Sequence, residues 1–96
     1  MALEFATVPV TIGETSGTFT SNEERTFSTT IQSADATIKH FKLDAVGSAQ
    51  PSDIVQVGLT GVSFHDSTVE FTVKARYSTG GGKFTGEVHV LVIALT

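Results

Sequence analysis

The sequence predicts an all-β protein, a small six-stranded antiparallel β-sandwich. Thr, Val, Ser and Gly dominate the 96 residues, with seven Phe and one Met, and this composition is typical of strands. Apolar and polar side chains alternate with a period of two in several segments, whereas no segment keeps a helical period for more than two turns. Short polar segments separate the alternating ones, which favours antiparallel connections and a sandwich.

The first part of the chain is predicted to form two strands. Residues 6–12 alternate, and Pro9 among them lacks a backbone N–H, which places this strand at the edge of a sheet. Residues 13–22 are predicted to be a polar connection, and residues 25–32 alternate again as a second strand. The whole chain, 1–96, is interpreted as one domain that begins with this edge strand and connection.

Two further strands carry predicted irregularities. Residues 36–46 change phase between Ile38 and Phe41, as a β-bulge would make them. Residues 54–64 change face across Gly61, which indicates a second bulge or kink. His65-Asp66 is predicted to turn the chain into the fifth strand.

The fifth and sixth strands are predicted over residues 67–77 and 83–95. In the fifth, apolar and polar residues alternate throughout. Because a glycine-rich loop separates the two, the sequence predicts a hairpin in which Tyr77 lies opposite Phe84 and Lys74 forms an ion pair with Glu87.

The sixth strand is apolar on both faces toward its end. Val88, Val90 and Val92 lie on one face, and the other face carries His89, Leu91, Ile93 and Leu95. A strand that is apolar on both sides must be covered on both sides. A small sandwich covers one side, so a second copy of the chain is predicted to cover the other.

The order of features from Thr26 to Ala94 resembles the H-type lectin domain family. The segments that carry the likeness are Thr26-Phe27, Leu43-Asp44-Ala45, Leu59-Thr60-Gly61-Val62, Phe71-Thr72-Val73-Lys74 and Val88 to Ala94. The resemblance implies a six-stranded antiparallel sandwich, a homotrimer and sugar binding, often of N-acetylgalactosamine. The family's sugar site does not carry over. Tyr77 begins the segment that replaces its Trp-His pair, Ile54 replaces its Arg, and Val92 replaces its closing Trp.

Composition and motifs argue against several other functions. Net charge is −4, so no basic surface for nucleic acid is expected. The absence of cysteine excludes disulfides and thiolate chemistry, and no G-x-S-x-G or H-E-x-x-H motif occurs. We therefore expect no enzyme, no cofactor and no bound metal. A site of three His89 copies in a trimer is the weaker alternative to a partly exposed strand histidine.

No basic leader followed by an apolar run precedes the first strand, and the longest apolar run is too short to cross a bilayer. The sequence thus predicts a soluble protein without membrane insertion, and it leaves the cellular location open. The Gly80-Gly81-Gly82-Lys83 run is predicted to be a loop between strands rather than a phosphate loop.

The candidate ligand-binding residues lie around the fifth strand. Arg76 offers a planar fork of donors, Tyr77 an aromatic ring, and Ser78 and Thr79 hydroxyl groups. His65 and Asp66 are weaker candidates, interpreted mainly as a turn. Two functions remain open: an oligomeric lectin-like binding module, or a structural assembly subunit with the same fold and no sugar site, such as a particle or fibre-tip protein.

Overall fold

The predicted fold class is confirmed. The computed structural model describes residues 2–46, 55–77 and 82–96. Its six antiparallel strands are β1 (Leu3–Thr15), β2 (Thr18–Thr26), β3 (Ser33–Ala45), β4 (Val55–His65), β5 (Thr68–Tyr77) and β6 (Phe84–Leu95). They form two three-stranded sheets: sheet A in the order β1-β6-β3, and sheet B in the order β2-β5-β4.

The core lies between the two central strands. Every second residue of β5 from Val69 to Ala75 is buried, and so is every second residue of β6 from Val88 to Ala94. Full burial of such an aliphatic side chain contributes about 1.5–3 kcal/mol. The edge strand β1 adds Val8, Val10 and Ile12 to this cluster. The alternation that predicted the strands therefore also builds the core.

The predicted hairpin between β5 and β6 is wrong. β5 is hydrogen-bonded to β2 and β4, and β6 to β1 and β3, so the two strands belong to different sheets. Tyr77 is paired with Val55 instead of Phe84, Lys74 with Thr20 and Gly58, and Glu87 with Thr11 and Lys42. The apolar faces were assigned correctly, but they meet across the sandwich because stacking two sheets buries both faces.

The second strand lies earlier in the chain than predicted. β1 continues to Thr15 and β2 begins at Thr18, so residues 13–22 are mostly strand instead of a polar connection. β2 ends at Thr26, and residues 27–32 connect the two sheets. Within this connection, Ile31 is buried and its N–H donates to the Asp66 carbonyl at 2.7 Å. Residues 25–32 alternate because Phe27 and Ile31 of this connection contact the core. A period of two in the sequence does not distinguish such a connection from a strand.

The predicted edge and irregularities are confirmed. β1 with Pro9 is an edge of sheet A. The register of β3 shifts between Ile38 and His40, and that of β4 between Thr60 and Ser63. Gly61 takes a φ of 63° and Asp66 a φ of 53°, conformations that suit a bulge and a tight turn. The described residues contain no helix long and apolar enough to span a bilayer.

Candidate functional site

The outer face of sheet A carries an apolar patch at the end of the sheet that holds both termini of the chain. The β1–β6 register places Leu3 beside Leu95 and Phe5 beside Ile93. Leu3 is 62% exposed and Phe5 61% exposed, although both are large apolar side chains. We call this surface the apolar patch; its members are Leu3, Phe5, Leu91, Ile93 and Leu95.

The patch contains three of the four residues predicted to form an interface. Leu91, Ile93 and Leu95 are partly exposed on the outer face, opposite the buried valines of β6. Leu3 and Phe5 were missed because the first strand was predicted to begin at Ala6. The period of two does not extend to them, because the apolar positions change from odd-numbered to even-numbered residues between Phe5 and Ala6.

The fourth predicted interface residue, His89, lies next to the patch in a polar cluster. Glu87 lies between two histidines, with its carboxylate oxygens 3.5 Å from His89 Nε2 and 3.8 Å from His40 Nε2. The two imidazole rings meet edge to face at 5.4 Å. His89 keeps 33% of its side chain exposed, as expected for a partly exposed strand histidine. Within the described ranges, no group of three metal-binding side chains has a geometry that could hold an ion.

The outer face of sheet B is polar throughout and divided by charge. In its acidic half, Glu24 of β2 lies directly opposite Glu70 of β5, and like charges in that position repel. In its basic half, Lys74 and Arg76 stand on the same face of β5. Thr72 lies between the halves, and its hydroxyl donates to Asn22 Oδ1 at 2.8 Å.

A shallow groove lies beside the basic half, at the edge strand β4. Its volume is about 650 Å³, within the range of about 300–1,000 Å³ usual for small-ligand sites. We call it the basic groove; it is lined by Thr18, Phe41, Val55, Gln56, Val57, Gly58, Thr60, Lys74, Ala75 and Arg76. Since Phe41 belongs to β3 of the other sheet, the groove extends past the edge strand β4.

The structure separates the ligand-binding residues that the sequence had grouped. Arg76 is exposed on the outer face and lines the basic groove, whereas Tyr77 packs against Phe84 with ring centroids 5.9 Å apart. His65 and Asp66 lie at the opposite end of β5, about 27 Å from Arg76 at 3.4 Å per residue. Their side chains contact each other, with His65 Nε2 3.1 Å from Asp66 Oδ2. Ser78 and Thr79 lie outside the described residues.

Of the groove residues, sequence analysis named only Arg76 as a candidate, and the missed ones include Lys74, Gly58 and Phe41. Lys74 could have been found, because it shares the polar face of the fifth strand with Arg76. Gly58 and Phe41 could not, since their proximity depends on how β3 and β4 meet at one side of the sandwich.

The comparisons add no relative: no family model, no curated protein and no solved structure matches this chain. The class of protein is therefore defined by its fold, an all-β two-sheet sandwich, and the function is argued from its two outer faces.

Proposed function

We propose that this protein is a non-enzymatic binding module that works as a homo-oligomer assembled through the outer face of sheet A. The observation that carries the proposal is the apolar patch. Leaving a large aliphatic side chain in water forgoes about 1.5–3 kcal/mol relative to burial. The patch gathers four aliphatic side chains and Phe5; Leu3 and Phe5 are more than half exposed, and Leu91, Ile93 and Leu95 are partly exposed. Contiguous apolar surface of this kind marks an interaction site.

A second copy of the same chain is the simplest partner. Closed symmetry is the default for soluble homo-oligomers, and the H-type lectin resemblance implies three subunits. The polar outer face of sheet B points away from such an assembly, so each copy presents it to solvent. Several weak sites held in one assembly bind with higher avidity than one site alone.

Light scattering on the purified protein tests the assembly. The expected mass is a multiple of 10.1 kDa, and threefold is the favoured multiple. Ile93→Lys places a charge in the apolar patch and is expected to release monomers. Thr20→Lys, on the outer face of sheet B, is the matched control and should keep the mass of the unmodified protein. An unmodified protein that is monomeric at micromolar concentration would contradict the proposal.

The second candidate is a structural assembly subunit that binds no sugar. Tyr77 favours it, because its ring packs against Phe84 instead of projecting toward a ligand. A glycan array beside the mass measurement distinguishes the two: sugar binding by the oligomer supports the lectin-like module. An oligomer that binds no sugar supports the assembly subunit.

A further inference from the structure

The basic groove concentrates positive charge on a chain that is negative overall. Lys74 and Arg76 are two residues apart on one face of β5, so their backbones lie about 7 Å apart. Within residues 2–46, 55–77 and 82–96, no carboxylate lies within 4 Å of either side chain; the ion pairs there involve other cations. Their strand neighbours are neutral: Thr18 and Gln56 flank Arg76, and Thr20 and Gly58 flank Lys74.

The same groove has an apolar side. Phe41 is 45% exposed and Val55 is 51% exposed, and both line it. Gly58 leaves the floor open, since a Cβ atom built there would meet nothing within 4 Å. Val55 is on the same face of sheet B as Tyr77, and Phe41 is on the same face of sheet A as Val88, so this apolar side lies around the open edge of β4 from the two cations. A ligand lying across that edge at Gly58 could therefore contact the cations on the outer face and the apolar side chains beyond the edge.

From this arrangement we propose that the basic groove binds a small organic anion. Its carboxylate or sulfate group lies against Lys74 and Arg76, and its ring or apolar body lies against Phe41 and Val55. The Arg76 guanidinium matches the oxygens of such a group with two parallel hydrogen bonds, and Lys74 adds a second charge. Thr18, Thr60 and Gln56 supply neutral donors and acceptors for polar substituents on the body.

The acidic half of the same face limits the length of the ligand. Glu70 is four residues from Lys74 on β5, which is about 14 Å, and it lies opposite Glu24. A polyanion long enough to extend along the face would reach these carboxylates and be repelled. The ligand therefore carries its charge at one end and spans one or two rings.

Isothermal titration with matched pairs of compounds tests the proposal. Phenyl glucuronide and phenyl glucoside differ only at C6, which is a carboxylate in the first and a hydroxymethyl group in the second, so the glucuronide should bind at least about tenfold more tightly. Phenylacetate against acetate separates the contribution of the apolar body from that of charge alone, since both carry one carboxylate. The affinities of phenyl glucuronide and phenylacetate are then compared. Tighter binding of the glucuronide indicates that the ligand is an acidic sugar, and tighter binding of phenylacetate indicates an apolar acid.

Variants assign the binding to the groove. Arg76→Ala and Lys74→Ala should each weaken binding by about tenfold or more, because each removes a charge-assisted contact. Lys39→Ala on sheet A removes the same charge elsewhere and should leave affinity unchanged. Gly58→Tyr fills the groove and should abolish binding. Gly13→Tyr also has open space for a side chain, and it should bind like the unmodified protein.

Three results would overturn the inference: equal affinity for glucuronide and glucoside, no saturable binding of either acid at millimolar concentration, or unchanged affinity in Arg76→Ala. Tighter capture of heparin or single-stranded DNA than of the small acids would overturn the length limit. The groove is on sheet B, so the Ile93→Lys variant should still bind. Failure of oligomerisation and failure of ligand binding are thereby distinguishable.

Discussion

At the scale of single residues, β3 and β6 approach each other closely at Gly86. A Cβ atom there would overlap the Lys42 carbonyl oxygen and lie 2.9 Å from Leu43 Cδ2. Because a backbone atom cannot move aside as a flexible side chain can, Gly86→Ala must shift β3 away from β6. We expect a loss of about 1–3 kcal/mol in the free energy of unfolding, as for other overpacked sites.

Urea denaturation measures this loss. Gly13→Ala is the matched control, since its Cβ would meet nothing within 4 Å and its φ is not positive. It should be neutral or slightly stabilising. Equal unfolding midpoints for the two variants would show that β3 and β6 do not approach so closely.

The two faces of β5 give a second prediction at this scale. Val73 has no exposed surface, and its neighbour Lys74 is exposed on the outer face. Val73→Asp buries an unpaired carboxylate and is expected to unfold the protein at room temperature. Lys74→Asp changes only a solvated side chain and should cost under about 1 kcal/mol. Comparable losses in urea would contradict the face assignment.

At the scale of strands, the sequence determines faces far better than partners. The alternation in β5 identified every buried residue from Val69 to Ala75, and it would do so in either sheet arrangement. The partner of β5 depends on which strands are adjacent, and two apolar faces are buried equally well by pairing or by stacking. Adjacent strand residues point to opposite faces, so Arg76 and Tyr77 could have been separated from the sequence. The position of Phe41 in the lining of the groove could not have been predicted from the sequence.

Engineered disulfides test this pairing, and the absence of native cysteines makes the result easy to interpret. Thr20→Cys with Lys74→Cys joins strand partners, whose Cα atoms in an antiparallel pair lie about 4.5–5.5 Å apart, within disulfide range. Lys74→Cys with Glu87→Cys joins residues on the outer faces of opposite sheets, so no intramolecular bond should form. Mass spectrometry of the oxidised monomeric fraction measures both. An intramolecular disulfide in the second pair would contradict the two-sheet arrangement and support the predicted hairpin between β5 and β6.

At the scale of the whole molecule, the sandwich is long and thin. Its extents are 51 × 18 × 17 Å and its radius of gyration is 15.2 Å, against about 12.5 Å for a compact domain of this length. Such a shape leaves most of both outer faces in contact with solvent. The two outer faces differ in chemistry. Sheet A carries the apolar patch, whereas the outward side chains of β2 and β5 in sheet B are polar or charged. Association through sheet A would thicken the molecule without covering the basic groove.

This difference predicts that thermal stability depends on protein concentration. If folding and association are coupled through the apolar patch, mass action raises the melting temperature as the concentration rises. We expect an increase over a hundredfold concentration range in calorimetry of the unmodified protein. Phe5→Lys places a charge among Leu3, Ile93 and Leu95, so its melting temperature should be lower and independent of concentration. Thr20→Lys should follow the unmodified protein. A melting temperature that stays constant in all three proteins would mean that the patch remains in water, and the outer face of sheet A would then need a different partner.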